Sequence, residues 1–257
     1  FQMGRHIIGY EVLKVQAIIN WFAAENSKIP DPPAIGIAGY HEGGLIAFYA
    51  AALDQRIQAT LVSGYFGERN RVWEEPIYRN VFGLLEQFGD AEIASLIAPR
   101  TLIIEHSRIK KINAPPAVRQ GRRGGAAPGM LITPPPRLVE AEFRRAKILG
   151  TQSEYIHFHA TQNSGKENIP FDDFCNTTTI NSFLRELKVP IKDLIMRFKP
   201  SALQINVKPP AEHQKRQVHQ LVDYTQQLLR FSEYHRQENF WKSSMNDLRA
   251  VIIALSP

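Results

Sequence analysis

Hydrophobic spacing divides the chain into alternating helical and extended segments. Between Gly4 and about Glu25, Ile8, Val12, Val15, Ile18, Ile19 and Phe22 recur at the interval of one helical face, which predicts an amphipathic helix laid on a sheet. The proline-rich turn Pro30-Asp31-Pro32-Pro33 ends it, because proline cannot continue a helix and biases its predecessor to extended geometry. Ala34-Ile35-Gly36-Ile37-Ala38 then runs without polar alternation, as a central parallel strand covered on both faces does. A helix follows over Leu45–Leu53, and second and third strands are expected over Ile57–Ser63 and Thr101–His106. Strand, helix, strand in this order implies a right-handed parallel crossover.

The stretch between the second and third strands is long. Trp73, Ile77, Val81, Leu84, Leu85 and Phe88 fall at helical intervals there, and Tyr65, Phe66, Trp73, Tyr78 and Phe82 are candidates either for a pocket lining or for core. Further on, a helix is predicted from Arg137 to about Leu149, a fourth strand over Tyr155–Ala160 and a helix over Phe171–Leu187. Beyond Pro190 the pattern changes to a long charged helix over residues 213–241, with a stripe of Val218, Leu221, Val222, Thr225, Leu228, Leu229 and Ser232, and a further apolar cluster at Leu248, Val251, Ile252 and Leu255. The expected architecture is α/β, a mostly parallel sheet flanked by helices over residues 1–199, followed by a helical extension or linker over 200–257.

Composition adds few constraints. At 257 residues, 44% hydrophobic and 22% charged, the chain has apolar material for a sizeable core. Its net charge of +6 is concentrated in Arg108–Pro136, which holds six basic residues and no acidic one among glycines and prolines. Such a segment reads as a solvated surface insertion, with docking of an anionic polymer as the alternative, and the charge does not call for a nucleic-acid partner. The single cysteine, Cys175, excludes an intramolecular disulfide and a cysteine zinc cluster. No run approaches the roughly 18 apolar residues of a membrane span, and Phe1-Gln2-Met3-Gly4-Arg5-His6 reads as an internal start without a signal-peptide pattern. Compartment is left open.

The turn after the first strand carries the chemistry. Gly39-Tyr40-His41-Glu42-Gly43 has the form of the G-x-S-x-G nucleophile elbow, with His41 in the middle position. Glycine there permits a strained backbone and lets the next helix approach the strand closely. With Leu61–Gly67 and Leu96–Glu105, this elbow resembles the α/β-hydrolase superfamily, in particular its dienelactone-hydrolase and acetyl-xylan-esterase-like branch, over the second half of that fold. The resemblance implies that the four strands correspond to the fifth to eighth of the hydrolase sheet, that the earlier ones are not in this sequence, and that the Ala34 strand is left with an open apolar edge.

It further implies a nucleophile at His41, one oxyanion donor in the backbone N–H of Glu42, an acid at Glu105 with Glu68 as fallback, and a base after the last strand. No histidine lies between Thr161 and Phe171, so His159 near the end of the fourth strand is the surviving candidate. Histidine tolerates positive φ, and an imidazole lacks the separate base that an alcohol nucleophile uses. Ser63 could substitute as nucleophile or serve as a turn residue. His41, Glu105, His106, His157 and His159 are of types that zinc accepts, but none shows H-E-x-x-H spacing, and no metal or other cofactor is assigned. The expectation is an esterase-like protein with weak or no activity toward a small ester or acylated sugar. The alternatives are a ligand-binding scaffold without turnover and an interaction module that uses the open sheet edge, the basic insertion or the C-terminal helix.

Overall fold

The structure, a computed structural model, describes residues 5–113, 120–121, 129–150, 152–160, 174–189, 210–235 and 237. Arg119, Arg122 and Arg123 of the basic insertion, the polar loop Thr161–Asn168, the start of the predicted 171–187 helix, and the apolar cluster at 248–255 lie outside these residues. The chain divides into two compact units, His6–Lys199, and Phe1–Arg5 with Pro200–Pro257. Within the second, the described element is one helix, Pro210–His235 (α6). Among the described residues no helix is long and apolar enough to cross a membrane.

The first unit is built on a four-stranded parallel sheet in the order β1-β2-β3-β4, with β1 Ile35–Tyr40, β2 Ile57–Ser63, β3 Thr101–His106 and β4 Ile156–Ala160. Helices α1 (Ile7–Asn26), α2 (Glu42–Leu53), α3 (Asp90–Ile97), α4 (Pro136–Leu149) and α5 (Thr177–Glu186) flank it. This is the expected α/β architecture. The apolar runs of β2 and β3 are almost wholly buried, and Leu45, Phe48, Ile57, Ile97, Leu102, Ile104 and Ile156 form one core with the helices. Burying each such side chain favours the fold by about 1.5–3 kcal/mol. Arg100 ties the layers together. Its Nη1 donates to the carbonyls of Ala51, Asp54 and Ile57, satisfying the end of α2 where it turns into β2.

Two segments depart from the periodicity. Between β2 and α3 the apolar residues at helical intervals form three 3₁₀ turns, Val72–Glu74, Ile77–Arg79 and Leu84–Glu86, because Pro76 and the left-handed Gly83 interrupt the run. Tyr65 and Phe66 belong to the core, while Trp73 and Phe82 are exposed. In α1, Ile8, Val12 and Ile19 are buried as spaced, but Ile18 and Phe22 on the same predicted face remain exposed. The sheet that would cover them is not beneath that part of the helix among the described residues.

The β1–α2 turn is fixed by close backbone approach. A Cβ on Gly39 would stand 2.0 Å from the Gly43 carbonyl oxygen, whereas one on Gly43 would meet nothing within 4 Å. Gly39→Ala should therefore lower stability by about 3 kcal/mol in urea unfolding, since the obstruction is backbone and cannot rotate away. Gly43→Ala, inside the first turn of α2, should stay within about 1 kcal/mol of the native protein or improve on it. Equal losses in the two variants would show that this close approach does not set the turn.

Candidate functional site

His41 is the residue that makes the sharp turn from β1 into α2. Its φ of 54° and ψ of −114° put a non-glycine side chain in a conformation reached only when the surroundings hold it there. Two bonds do so: His41 N–H donates to the Ser63 carbonyl, continuing the β1–β2 ladder, and its carbonyl accepts from Leu45 N–H, opening α2. The elbow is thus formed, with histidine at its apex.

The groups acting on that imidazole are Glu42, Arg79 and Glu75. His41 Nε2 is buried without a hydrogen-bond partner and lies 3.8 Å from Glu42 Oε1. Burial is the main influence and lowers the imidazole pKa, so the ring is neutral at pH 7. Glu42 itself is already engaged. Arg79 grips its carboxylate through Nη2 at 2.8 Å and Nε at 3.0 Å, and Tyr78 Oη donates to it at 2.9 Å. Arg79 also reaches Glu75 at 3.3 Å.

A second pair, buried on both sides, extends this cluster. Arg69 donates to the Tyr65 carbonyl, stands 4.5 Å from the Tyr65 ring centre and meets Asp90 at 3.3 Å, while Asp90 Oδ2 also accepts from Gly67 N–H. Burial pushes the Asp90 carboxyl up to about 6. None of these arginines was a sequence candidate. Glu42 and Arg79 are 37 positions apart, and no local pattern marks such a pairing.

The other candidates are held elsewhere. Tyr40, Ser63, Glu105 and His159 stand in register across the four strands, so Glu105 and His159 are strand neighbours while the elbow lies two strands from Glu105. At about 4.8 Å per strand this is roughly 10 Å. Glu105, buried at the end of β3, accepts from Ser63 Oγ at 2.5 Å, Cys175 N–H at 2.6 Å, Asn176 N–H at 3.0 Å and Asn176 Nδ2 at 2.8 Å. Asn176 is the N-cap of α5, its Oδ1 accepting from Thr179 N–H. Glu105 thus anchors the start of α5 to the sheet.

Ser63 is fully buried between Glu105 and Ser107, whose Oγ is 2.7 Å away, and so is closed to a substrate. His159 Nδ1 pairs with Thr179 Oγ1 at 2.9 Å, and burial lowers its pKa. His106 Nε2 pairs with the Pro134 carbonyl, and the fallback Glu68 accepts from the neighbouring Asn70. No three His, Cys, Asp or Glu side chains among the described residues gather closely enough to hold a metal ion.

Comparison with known proteins gives one weak likeness. No family model matches the chain, and no curated protein does. The fold is similar to a carbohydrate esterase family 15 glucuronoyl esterase from Caldicellulosiruptor kristjansonii, at 15% identity and a TM-score of 0.34, over 59% of this chain and 41% of that one. This chain thus spans less than half the length of that esterase.

Two outcomes test the assignments. Glu105→Gln should cost about 2–3 kcal/mol of stability, because charge-assisted bonds to buried N–H donors are lost and a buried oxygen is replaced by a donor. An unchanged urea midpoint would remove Glu105 from its anchoring role. The histidines give the second. His6, His41 and His159 all have pKa values lowered by burial, so below the ordinary 6.5 the unfolded chain binds protons that the folded chain refuses. Stability should be full above about pH 6.5 and fall as pH drops through the window down to the lowered values. Asp90 acts oppositely. Its raised pKa contributes stability that is present below 3.8 and lost as pH rises to about 6. Comparing native protein with His41→Gln cancels the Asp90 term, and the slope of urea stability against pH below 6.5 should flatten in the variant.

Proposed function

We propose that His6–Lys199 is an α/β-hydrolase-like scaffold, related to carboxylic ester hydrolases, on which ester cleavage is not assembled. The observation that carries this reading is the state of His41. It occupies the elbow apex, but the Nε2 that would attack an acyl carbon is buried, and the groups around it are a carboxylate already gripped by an arginine and a tyrosine. A nucleophile needs an exposed lone pair and a nearby group to manage its proton. Neither the acid candidate nor the base candidate supplies one, since Glu105 is spent on the α5 cap and His159 on Thr179.

Under this reading an ester or acylated sugar is held at the carboxyl edge of the sheet without turnover. Turnover of p-nitrophenyl acetate should be at the buffer rate for native protein and His41→Ala alike. His41→Ser should gain little, because a hydroxyl there still lacks a base. Activity in the native protein that disappears in His41→Ala would overturn the proposal. Binding without turnover predicts that an acetylated xylo-oligosaccharide raises the melting temperature while its acetyl groups stay in place.

A further inference from the structure

The chain's excess of positive charge sits in one insertion. The basic residues of Arg108–Pro136 account for all of the net +6, and basic and acidic residues balance over the rest of the chain. No acidic residue lies between Glu105 and Glu140, so these cations have no neutralising partner within their own segment. A concentration of one sign draws partners of the other.

The base of this insertion is fixed to the body of the first unit. Ile109 N–H donates to Thr133 Oγ1 at 3.0 Å, and Ile112 and Leu131 exchange both backbone bonds, at 2.9 and 3.0 Å, as an antiparallel bridge. Ile109 and Leu131 are buried, and the Arg108 carbonyl accepts from Tyr40 Oη at 2.6 Å, which ties the outgoing arm to the end of β1. The returning arm is bonded as well, from Met130 N–H to the Glu74 carbonyl. Lys110 and Lys111 therefore stand on backbone clamped at 109 and 112. Residues of both arms, Arg108, Ile109, Lys110, Lys111, Ile132 and Thr133, line a trough of about 400 Å³. Both lysines are exposed and hold no carboxylate among the described residues, whereas Lys14 pairs with Glu11 and Lys28 with Glu25.

We propose that this clamped stem binds a sulfated polysaccharide, with Lys110 and Lys111 meeting successive sulfate groups and Thr133 donating a hydrogen bond. The Thr133 oxygen accepts from Ile109 N–H, which leaves its own hydrogen to give. An ammonium group is a compact point charge with rotatable donors, so it meets the oxygens of a sulfate ester from any side, while a planar carboxylate is better matched by arginine's fork. Two such charges in succession suit a partner that repeats its own along a chain. The lining has no aromatic ring, so a nucleic-acid base finds nothing there to stack on, and a sugar ring needs no such surface. The exposed Ile132 offers apolar contact to the C–H face of a sugar. This inference concerns the insertion stem and stands whether or not the elbow holds an ester.

The test is the fluorescence anisotropy of a labelled heparin hexasaccharide titrated with the full chain. Affinity should fall about tenfold between about 50 and 200 mM NaCl, because binding releases counterions. Lys110→Gln combined with Lys111→Gln should weaken binding about tenfold at the lower salt. Lys14→Gln combined with Lys28→Gln removes the same net charge at a distance from the stem and should change it by less than about twofold, since separated surface charges are screened. All four lysines are exposed, so neither variant disturbs the core. Equal losses in the two variants would overturn the proposal by showing that bulk charge does the binding, and an unchanged affinity in the first would place the site elsewhere. Tighter binding of polygalacturonate, of a DNA duplex or of phosphatidylserine vesicles would also overturn it, each assigning the surface to a different anion.

Discussion

The first unit depends on how closely α2 can start against the end of β1. Gly39 and the Gly43 carbonyl sit where any side chain on Gly39 would collide with backbone, and a Cβ on Gly44 would be in tight contact with the Ser63 and Gly39 carbonyl oxygens, at 3.1 and 3.2 Å. That contact forces the chain to reverse within one residue, and the reversal is taken up by His41 at positive φ. The strain, of order 1–3 kcal/mol, is offset because the same residue completes the β1–β2 ladder and opens α2. Two contacts beside the turn follow from it: Glu42 faces Arg79, and Tyr40 stacks on Phe174 at 4.2 Å.

A second fixed point lies two strands away. Glu105 gathers Ser63, Cys175 and Asn176, and thereby joins β2, β3 and the start of α5. A carboxylate with four donors is well matched to a buried site, where an unpaired one would be costly. The same satisfaction makes it a poor relay. An acid that orients a base must spend a lone pair on that base, and these oxygens serve the sheet and the helix cap. The position suits catalysis, and the bonding suits structure.

Strand positions were legible in the sequence where the strand is an apolar run closed by glycine or a charge, as in Ile57–Ser63 and Thr101–His106. The elbow was legible because its glycines stand at fixed offsets from His41. What failed was periodicity over Trp73–Phe88, where a helical interval survived in a segment that Pro76 and Gly83 break into 3₁₀ turns. Local pattern cannot register a proline's lost donor against a favourable spacing until packing chooses. The charged cluster was invisible for another reason. Arg79 with Glu42, and Arg69 with Asp90, join residues that share no local motif, and only the folded backbone brings them together. Glu105 and His159 lie at the carboxyl end of the sheet, but their partners are Asn176, the N-cap of α5, and Thr179 within it, whose roles depend on where that helix docks.

The elbow and the charged cluster beneath it constrain one another. Glu42 is the first residue of α2, so its carboxylate sits where the helix dipole favours negative charge, and Arg79 with Tyr78 holds it there. Protonating His41 would add a cation next to the buried Arg79, and desolvation of the ring opposes it as well. A neutral imidazole is therefore the form compatible with the Glu42–Arg79 pair. If the ring were to take a proton during catalysis, the attraction of Glu42 would have to outweigh both penalties while that carboxylate is shared with two other donors. The arrangement thus favours a neutral imidazole at the apex, on a turn whose backbone is held by the β1–β2 ladder and the start of α2.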